Sequence, residues 1–297
     1  MPELTPAKTT RIAILAAGIS SRMKLPANVA AMVEPDLLRQ ADERAKAMIE
    51  VGAEGRPFLD YLLYNCRAAG VTDVVLVIGR SDEVVKSYYG QKERGNEFHG
   101  LTIAYAYQDI PFGRTKPLGT ADALLQALLS RTDWRGKKFL VCNSDNLYSV
   151  QALEVLAACP EAAALIDYDR DGLEFAPARI AQFGITKKNA DGYVEEIVEK
   201  PRVEELESLK DQDGILRVSM NIFLLSYNIV LPFLESCPLH PVRKEKELVK
   251  ALSMMARGAP RAMKAIPLHE HVPDLTYKDD IPSVRAYLET QFGTLSW

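Results

Sequence analysis

A short loop near the start of the sequence combines glycine, serine and arginine directly after an apolar run. The run is residues 11–15, and Gly18, Ser20, Ser21 and Arg22 follow it. Small residues let backbone N–H groups approach a phosphate, and a guanidinium can donate two parallel hydrogen bonds to phosphate oxygens. The loop matches neither G-x-G-x-x-G nor G-x-x-x-x-G-K-[ST]. Residue types alone therefore fit a phosphate-binding loop and an ordinary strand-to-helix turn equally well.

Asp145 is the carboxylate whose position is most typical of a site. It follows residues 139–142, a predicted buried strand, and so lies at that strand's carboxyl end. Ligands of parallel α/β sheets bind at these ends, where a carboxylate suits Mg²⁺ but often only caps the next helix. His269 and His271 are alternate residues directly after an apolar run and would share one face of a strand, but two histidines without a third ligand are weak support for a metal site.

Composition and charge predict a globular protein that binds small ligands. The 297 residues are 47% hydrophobic and 26% charged, with a formal net charge of -4 and with Lys and Arg spread along the chain. We therefore expect no nucleic-acid partner. No apolar run could span a bilayer and the first residues do not resemble a signal peptide, so we expect a cytoplasmic protein that does not bind membranes. The four cysteines are far apart and predict neither a metal site nor disulfides.

The elements that position these residues alternate between strands and amphipathic helices. In the first half, the predicted strands are residues 11–15, 74–78, 101–107 and 139–142, and the predicted helices are residues 58–69, 83–89 and 120–129. This alternation predicts an α/β fold with a doubly wound, mostly parallel sheet.

After about residue 162 the pattern changes. It predicts a hairpin around residues 189–192, a strand at 218–225, helices at 229–235 and 244–256, a strand at 262–268 and a closing helix at 281–292. Residues 25–45 are polar and rich in alanine, and we interpret them as an insertion that is helical around residues 36–44.

Six short motifs stand in the order found in one enzyme family. They are residues 15–23, 46–51 with 57–59, 117–123, 143–146, 199–201 with Phe183 and Gly184 ahead of them, and 277–280. Each motif alone is weak, but the ordered set resembles the sugar nucleotidyltransferases, which include glucose-1-phosphate thymidylyl- and uridylyltransferases and their cytidylyltransferase relatives. The resemblance implies one Rossmann-like, GT-A-like nucleotidyltransferase domain, with a nucleotide-binding part at residues 11–160 and an acceptor-binding part at 161–297.

The resemblance implies that the first half binds a nucleoside triphosphate. Arg22 would hold the β- and γ-phosphates, and Lys46 would lie near the α-phosphate. Lys24 competes with Lys46 because the path from Arg22 to Lys46 is unusually long, but the residues after Lys46 fit the family pattern and favour it. Gln108 resembles the residue that reads the base. The other implied nucleotide contacts are Leu15, Ala16, Ala17, Gly18, Ser21, Gly119 and Thr120.

The resemblance also implies a Mg²⁺ ion and a phosphorylated acceptor. Asp145 stands where the family has one metal-binding aspartate, and either Asp279 or Asp280 stands where it has another. We favour Asp279, since Asp280 can then cap the last helix. The implied acceptor contacts are Asn146, Gly184, Glu199, Lys200 and Asn221, with Lys200 on the acceptor phosphate. A surface ion pair for Glu199 and Lys200, and a structural role for Asn221, remain alternatives.

The implied reaction is attack of an acceptor phosphate oxygen on the α-phosphorus, with pyrophosphate as the leaving group. A phosphate monoester has a second pKa of about 6, so the nucleophile is largely ionised at pH 7 and needs no general base. It needs charge neutralisation and alignment, which Arg22, Lys46, Lys200 and Mg²⁺ would supply.

Three other functions remain open: a nucleotide-sugar-dependent glycosyltransferase, a cytidylyltransferase acting on a non-sugar phosphorylated alcohol, and a non-catalytic protein of this fold. A glycosyltransferase would ordinarily have Asp-x-Asp where this chain has Asn143, Ser144 and Asp145. The sequence does not fix the base, the acceptor, the oligomeric state (a homo-oligomer included) or the purpose of the insertion.

Overall fold

The apolar runs form the centre of one sheet, because strands covered on both faces are almost wholly apolar. The computed structural model describes residues 8–28, 33–199, 201–259 and 261–297. The central strands are β1 (Arg11–Leu15), β2 (Asp73–Ile78), β4 (Leu101–Tyr107) and β5 (Lys138–Asn143). The other described strands are β3 (Asn96–Phe98), β6 (Ala164–Asp169), β7 (Gly184–Lys188), β8 (Val194–Val198), β9 (Arg217–Ser226) and β10 (Lys264–Leu268).

The described strands lie in the order β10-β6-β9-β5-β1-β2-β4-β3, with β7 paired to β9 and to β8. The pairs β1–β2, β1–β5 and β2–β4 are parallel, as is β6–β10. Strand β9 is antiparallel to both β5 and β6, so it joins a parallel centre to the strands of the second half. This mixed sheet confirms the predicted α/β class.

Helices cover both faces of the sheet. The described helices are α1 (Pro35–Glu43), α2 (Phe58–Ala68), α3 (Glu83–Tyr89), α4 (Thr120–Ser130), α5 (Val150–Ala158), α6 (Pro177–Ile180), α7 (Tyr227–Glu235), α8 (Leu248–Gly258) and α9 (Ile281–Phe292). Side chains of β1 alternate between two cores: Ile12 and Ile14 pack in the core that contains α2, α5 and α9 residues, while Ala13 and Leu15 pack with α4, α7 and α8. No described helix has the length and apolarity needed to cross a bilayer.

The structure differs from the sequence-based elements in several places. Strand β6 and helix α5 were not predicted, and β6 interrupts its apolar run with Asp167, which is fully buried and paired with Lys188. The helix predicted at residues 244–256 begins only at Leu248, because the preceding residues form a loop against α4. Helix α4 begins at Thr120, as predicted, with Gly119 as its N-cap, and the Thr120 hydroxyl accepts a hydrogen bond from the Leu248 N–H (2.9 Å).

Candidate active site

The register of β1 and β5 brings the first loop and Asp145 to the same edge of the sheet. Leu15 and Asn143 are register partners at the carboxyl ends of the two strands. The Ser144 N–H donates to the Leu15 carbonyl (3.2 Å), and the Ala16 N–H donates to the Val77 carbonyl of β2 (2.8 Å). The loop that follows Leu15 therefore starts between two parallel strand ends, where ligands of such sheets bind.

The loop after Leu15 has free space around Gly18 and an uncommon backbone conformation at Ser20. A Cβ added at Gly18 would meet no atom within 4 Å, so the backbone there is accessible from outside. Ser20 has a positive φ of 54°, which is uncommon for a residue other than glycine. Its hydroxyl accepts a hydrogen bond from the Lys46 N–H (3.3 Å), which fastens the loop to the segment that carries Lys46. The Arg22 guanidinium is exposed and lies 5.7 Å from the ring centre of Tyr277.

The ammonium group of Lys46 forms an ion pair with Asp145, and both side chains are largely buried. Burial raises the pKa of Asp145, but Lys46 and the positive charge of Arg22 lower it by more, so the net pKa lies below its ordinary value of 3.8. Asp145 is therefore ionised at neutral pH. The Lys24 side chain is exposed, and the contact with Asp145 favours Lys46 as the phosphate-binding lysine.

The second carboxylate beside Asp145 is Asp274, which sequence reasoning missed. Residues 145–147 pair with residues 273–275 through an antiparallel bridge and two backbone hydrogen bonds (2.8 and 2.9 Å). The Thr276 hydroxyl lies 2.6 Å from Asp274 Oδ1 and 3.4 Å from Asp145 Oδ2. Burial and the nearby Asp145 charge raise the pKa of Asp274, against the opposing effects of Arg179 and Thr276.

This placement changes the assignment of the late acidic residues. Asp279 accepts hydrogen bonds from the backbone and the side chain of Asn28 (2.8 and 2.7 Å). Asp280 is the N-cap residue of α9, as predicted, but its carboxylate accepts from the Thr276 and Tyr277 N–H groups and pairs with Arg179. Asp274 is therefore the second candidate metal ligand that the geometry favours, while the role implied for Asp279 stays a prediction.

The pair of carboxylates fits a divalent cation. Burial is the main cause of the raised pKa of Asp274, and the like charge of Asp145 on the other side of the Thr276 hydroxyl adds to it. A cation between the two carboxylates would favour the ionised form of both. In the described part of the chain, no group of three or more His, Cys, Asp or Glu side chains could enclose an ion. Mg²⁺ is commonly bound by one or two carboxylates, with water and substrate phosphates as its other ligands. Asp145 and Asp274 suit that arrangement.

The predicted base-reading residue lies at the end of β4. The Gln108 N–H donates to the Ile78 carbonyl (3.0 Å), and its side-chain amide donates to the Gly119 carbonyl (2.8 Å) and to Asp122 (2.7 Å). The structure thus brings together Gln108 and Gly119, two of the implied nucleotide contacts. Gly119 has a φ of 106°, and the Lys246 carbonyl would lie 2.6 Å from an added Cβ.

On the acceptor side, the predicted residues that the structure describes are Gly184 in β7, Glu199 directly after β8, Asn221 in β9 and Asn146 in the loop after β5. Glu199 pairs with Arg243 (2.8 Å), which also pairs with Glu247 (2.5 Å). Arg243 was not predicted, because it lies in an irregular loop with no periodic pattern. Lys200 lies outside the described residues.

The other predicted acceptor contacts are Gly184, Asn221 and Asn146, and their local conformation and packing are as follows. Gly184 opens β7, and an added Cβ would lie 2.8 Å from Ile197. Asn221 has a positive φ of 60°, and its N–H donates to the Ser219 hydroxyl (3.3 Å). Asn146 is buried beside Asp274, with which it forms the antiparallel bridge.

The inserted segment packs against the chain's own late loop. Helix α1 buries Leu37, Gln40 and Ala41. Asp42 pairs with the buried Lys278 (2.6 Å), and Glu34 pairs with Arg285 (2.5 Å). The insertion therefore connects the first loop to the segment just after Asp274.

The His269 and His271 pair does not form a metal site. His269 contacts Asp169 (2.9 Å), and His271 accepts a hydrogen bond from the Glu174 N–H (3.1 Å). Glu270 between them accepts from the Ser149 hydroxyl (2.9 Å). The three side chains thus have three separate partners.

Known proteins resemble this chain in sequence and in fold. The model of the nucleotidyl transferase family matches residues 41–291. The curated bifunctional protein GlmU of Staphylococcus epidermidis is 26% identical over 251 residues, in strain ATCC 35984 as in strain ATCC 12228. The match covers 84% of this chain and 46% of the relative, so the chain spans about half the length of the curated relatives it matches.

Solved structures share the fold across nearly the whole chain. A putative glucose-1-phosphate thymidylyltransferase from Bacillus anthracis has a TM-score of 0.65 and 17% identity, covering 97% of both chains. The UTP-bound UGPase from Acinetobacter baumannii has a TM-score of 0.68 and 18% identity, covering 97% of this chain and 96% of that one. A UDP-glucose pyrophosphorylase complexed with UDP-glucose has a TM-score of 0.66 and 14% identity, covering 95% and 99%. At these identities the likeness establishes the fold.

Proposed function

Because the chain belongs to the nucleotidyl transferase family, we propose that it transfers a nucleotidyl group from a nucleoside triphosphate to a sugar 1-phosphate and releases pyrophosphate. The proposal rests on one observation. Lys46, Asp145 and Asp274 lie together at the carboxyl edge of the sheet, beside the exposed backbone of Gly18. Fold neighbours bound to UTP and to UDP-glucose support a ligand of this class.

The first loop supplies the triphosphate end of the site. A triphosphate placed over Gly18 would meet backbone N–H groups, with the exposed Arg22 guanidinium beside it. Lys46, now paired with Asp145, is close enough to the strand ends to donate to an α-phosphate oxygen instead. The two cations would neutralise charge that accumulates on the phosphates as the reaction proceeds.

A divalent cation bound by Asp145 and Asp274 would add further neutralising charge when present. In the reaction, an acceptor phosphate oxygen forms a bond to the α-phosphorus. The bond from that phosphorus to the bridging β-phosphate oxygen breaks, and its electron pair leaves with pyrophosphate. The acceptor is already ionised near pH 7, so none of this chain's residues needs to remove a proton.

We assign the acceptor to the side of the site formed by Gly184, Glu199 and Asn221, with Arg243 as an additional cation. Arg243 is half-exposed and held by Glu199 and Glu247, so its guanidinium is oriented before any ligand arrives. An arginine fork matches a phosphate dianion in shape and charge. Arg243 and Lys200 would together hold the acceptor phosphate.

The test is a pyrophosphate-release screen. The purified chain, with Mg²⁺, is incubated with each common nucleoside triphosphate against a panel of sugar 1-phosphates and phosphorylated alcohols. Mass spectrometry identifies the nucleotide product. We expect one pair to give stoichiometric pyrophosphate and an NDP-sugar.

Three variants accompany the screen. Asp145→Ala should abolish turnover, and Arg22→Ala should severely weaken use of the triphosphate, while Arg80→Ala, at an exposed pair with Asp109, should match wild type. Pyrophosphate from none of the pairs would refute the proposal. Sugar transfer from an NDP-sugar without pyrophosphate would instead identify a glycosyltransferase.

A further inference from the structure

Arg179 lies next to the candidate metal site but belongs to a different part of the chain. It is in α6, the short helix that leads into β7, whose first residue is Gly184. Its guanidinium pairs with Asp274 (2.9 Å) and with Asp280, and it also lies 3.4 Å from the Asp274 carbonyl oxygen. Arg179 therefore holds both ends of the 274–280 loop.

The contacts of Asp274 leave its carboxylate little freedom. Oδ2 is paired with Arg179, while Oδ1 is 2.6 Å from the Thr276 hydroxyl. Both oxygens are thus fixed, and the carboxylate plane is held beside Asp145 Oδ2, from which the same hydroxyl lies 3.4 Å away. A carboxylate oriented before the ion arrives loses less rotational freedom when it binds.

Aromatic rings hold the guanidinium in place. Arg179 lies 4.7 Å from the ring centre of Phe175 and 5.6 Å from that of Tyr277. Tyr277 also lies 5.7 Å from the Arg22 guanidinium. One ring therefore contacts both the arginine of the triphosphate loop and the arginine beside Asp274.

We propose that Arg179 is a positioning residue for the divalent cation site: it fixes Asp274 and the 274–280 loop so that Asp145 and Asp274 face one ion. The inference rests on the proposed function only in taking these two carboxylates as the metal site. Arg179 does not touch the substrates. It acts on the geometry of Asp274, and it joins the acceptor-side strand β7 to the metal loop.

Direct repulsion between Arg179 and the ion predicts the opposite outcome. A nearby cation repels a divalent ion, so removing the charge of Arg179 would tighten metal binding if charge dominated. If positioning dominates, the same change loosens it. Outer-shell partners of metal ligands typically contribute about 10–100-fold in affinity, which makes the two outcomes easy to separate.

The experiment measures Mn²⁺ binding by the whole chain without nucleotide, following free Mn²⁺ by electron paramagnetic resonance. We expect Arg179→Met to weaken binding about 10-fold or more, toward the affinity of Asp274→Asn. Arg179→Lys keeps the charge but cannot span both Asp274 and Asp280, so it should fall between Met and wild type.

Arg131→Met is the matched control. Arg131 has the same kind of environment: it pairs with Asp73 and Asp133 and lies 4.4 Å from the Trp134 ring centre. Asp73 begins β2, so this network is at the opposite edge of the sheet from the site. Circular dichroism checks that each variant is folded, and Arg131→Met should bind Mn²⁺ as wild type does.

Several outcomes would overturn the proposal. They are unchanged or tighter Mn²⁺ binding in Arg179→Met, equal loss in Arg131→Met, or wild-type binding no tighter than that of Asp274→Asn. Since no triphosphate or acceptor is present, a chain that releases no pyrophosphate but loses Mn²⁺ binding in Arg179→Met would refute the proposed function alone.

Discussion

Lys46 donates a hydrogen bond to Asp145 across 99 positions of sequence, and each neutralises the other at the carboxyl edge of the sheet. Their side chains are only 15% and 16% exposed, so either charge alone would be costly to bury. In the proposed reaction a phosphate oxygen would become the partner of Lys46 and a divalent cation that of Asp145. The ion pair thus neutralises both charges and fixes the two side chains relative to each other.

Exchange of the Lys46 ammonium for an apolar group tests this relationship. Lys46→Met should lower kcat/KM for pyrophosphate release by about 100-fold or more, because it removes a cation that contacts the transferred phosphoryl group. It should also leave Asp145 unpaired and lower the free energy of unfolding. Steady-state kinetics and urea denaturation measure the two effects.

Lys24→Met is the matched control for Lys46→Met. Lys24 is exposed in the same loop, so its removal should change stability by less than about 0.5 kcal/mol and turnover only slightly. If Lys24→Met lost the activity and Lys46→Met kept it, the two lysines would exchange roles.

Gly18→Ala should impair binding of the triphosphate without affecting the stability of the fold. No atom lies within 4 Å of the added methyl, so the free energy of unfolding should stay the same or rise slightly. The methyl would, however, occupy space where a phosphate approaches the backbone. We expect KM for the triphosphate to rise about 10-fold with little change in urea denaturation. A wild-type KM would show that the triphosphate does not approach this backbone.

Gly119→Ala should do the reverse and destabilise the protein itself. At a φ of 106° a side chain is strained, and its Cβ would lie 2.6 Å from the Lys246 carbonyl oxygen. We expect a loss of about 1–3 kcal/mol from strain, with the clash adding to it. Gly136→Ala is the control, since Gly136 has a φ of 73° but open space around its Cβ. Equal losses in the two variants would show that contact with Lys246 contributes nothing.

The sequence predicts the first strands and the residues directly after them well, and the reason is physical. A buried parallel strand has a continuous apolar run, so its end can be located and the loop that follows is at the ligand edge. The loop with Gly18 and the position of Asp145 follow from this rule, and the structure places both where it predicts.

Residues whose partners are set by tertiary contacts could not be found in that way. Asp274 is next to Asp145 only because residues 273–275 pair with residues 145–147, and no periodic pattern marks either segment. Arg179 lies in a single-turn helix and Arg243 in a loop, so both depend on the fold for their partners. Strand β6 was missed because Asp167 interrupts its apolar run, and that charge is tolerated only because Lys188 reaches it.

Asp211 gives the chain a stability contribution that depends on pH. Burial raises the pKa of Asp211, but the Arg217 side chain, the Ile215 N–H and Lys188 outweigh it, so the net pKa is below the ordinary value of 3.8. The unfolded chain therefore takes up the proton first as the pH falls. The stabilisation is present above about pH 4 and is lost as the pH drops through the folded-state pKa.

Asp211→Asn should accordingly lower the free energy of unfolding at pH 7 by about 1.5–3 kcal/mol, the range for hydrogen bonds to a charged group. The difference from wild type should shrink as urea denaturation is repeated toward about pH 3.5, where the unfolded chain is already protonated. Asp213→Asn, at an exposed neighbouring carboxylate, should stay within about 0.5 kcal/mol of wild type throughout. If the difference in the free energy of unfolding between Asp211→Asn and wild type stayed constant with pH, the contribution of Asp211 would not depend on its charge.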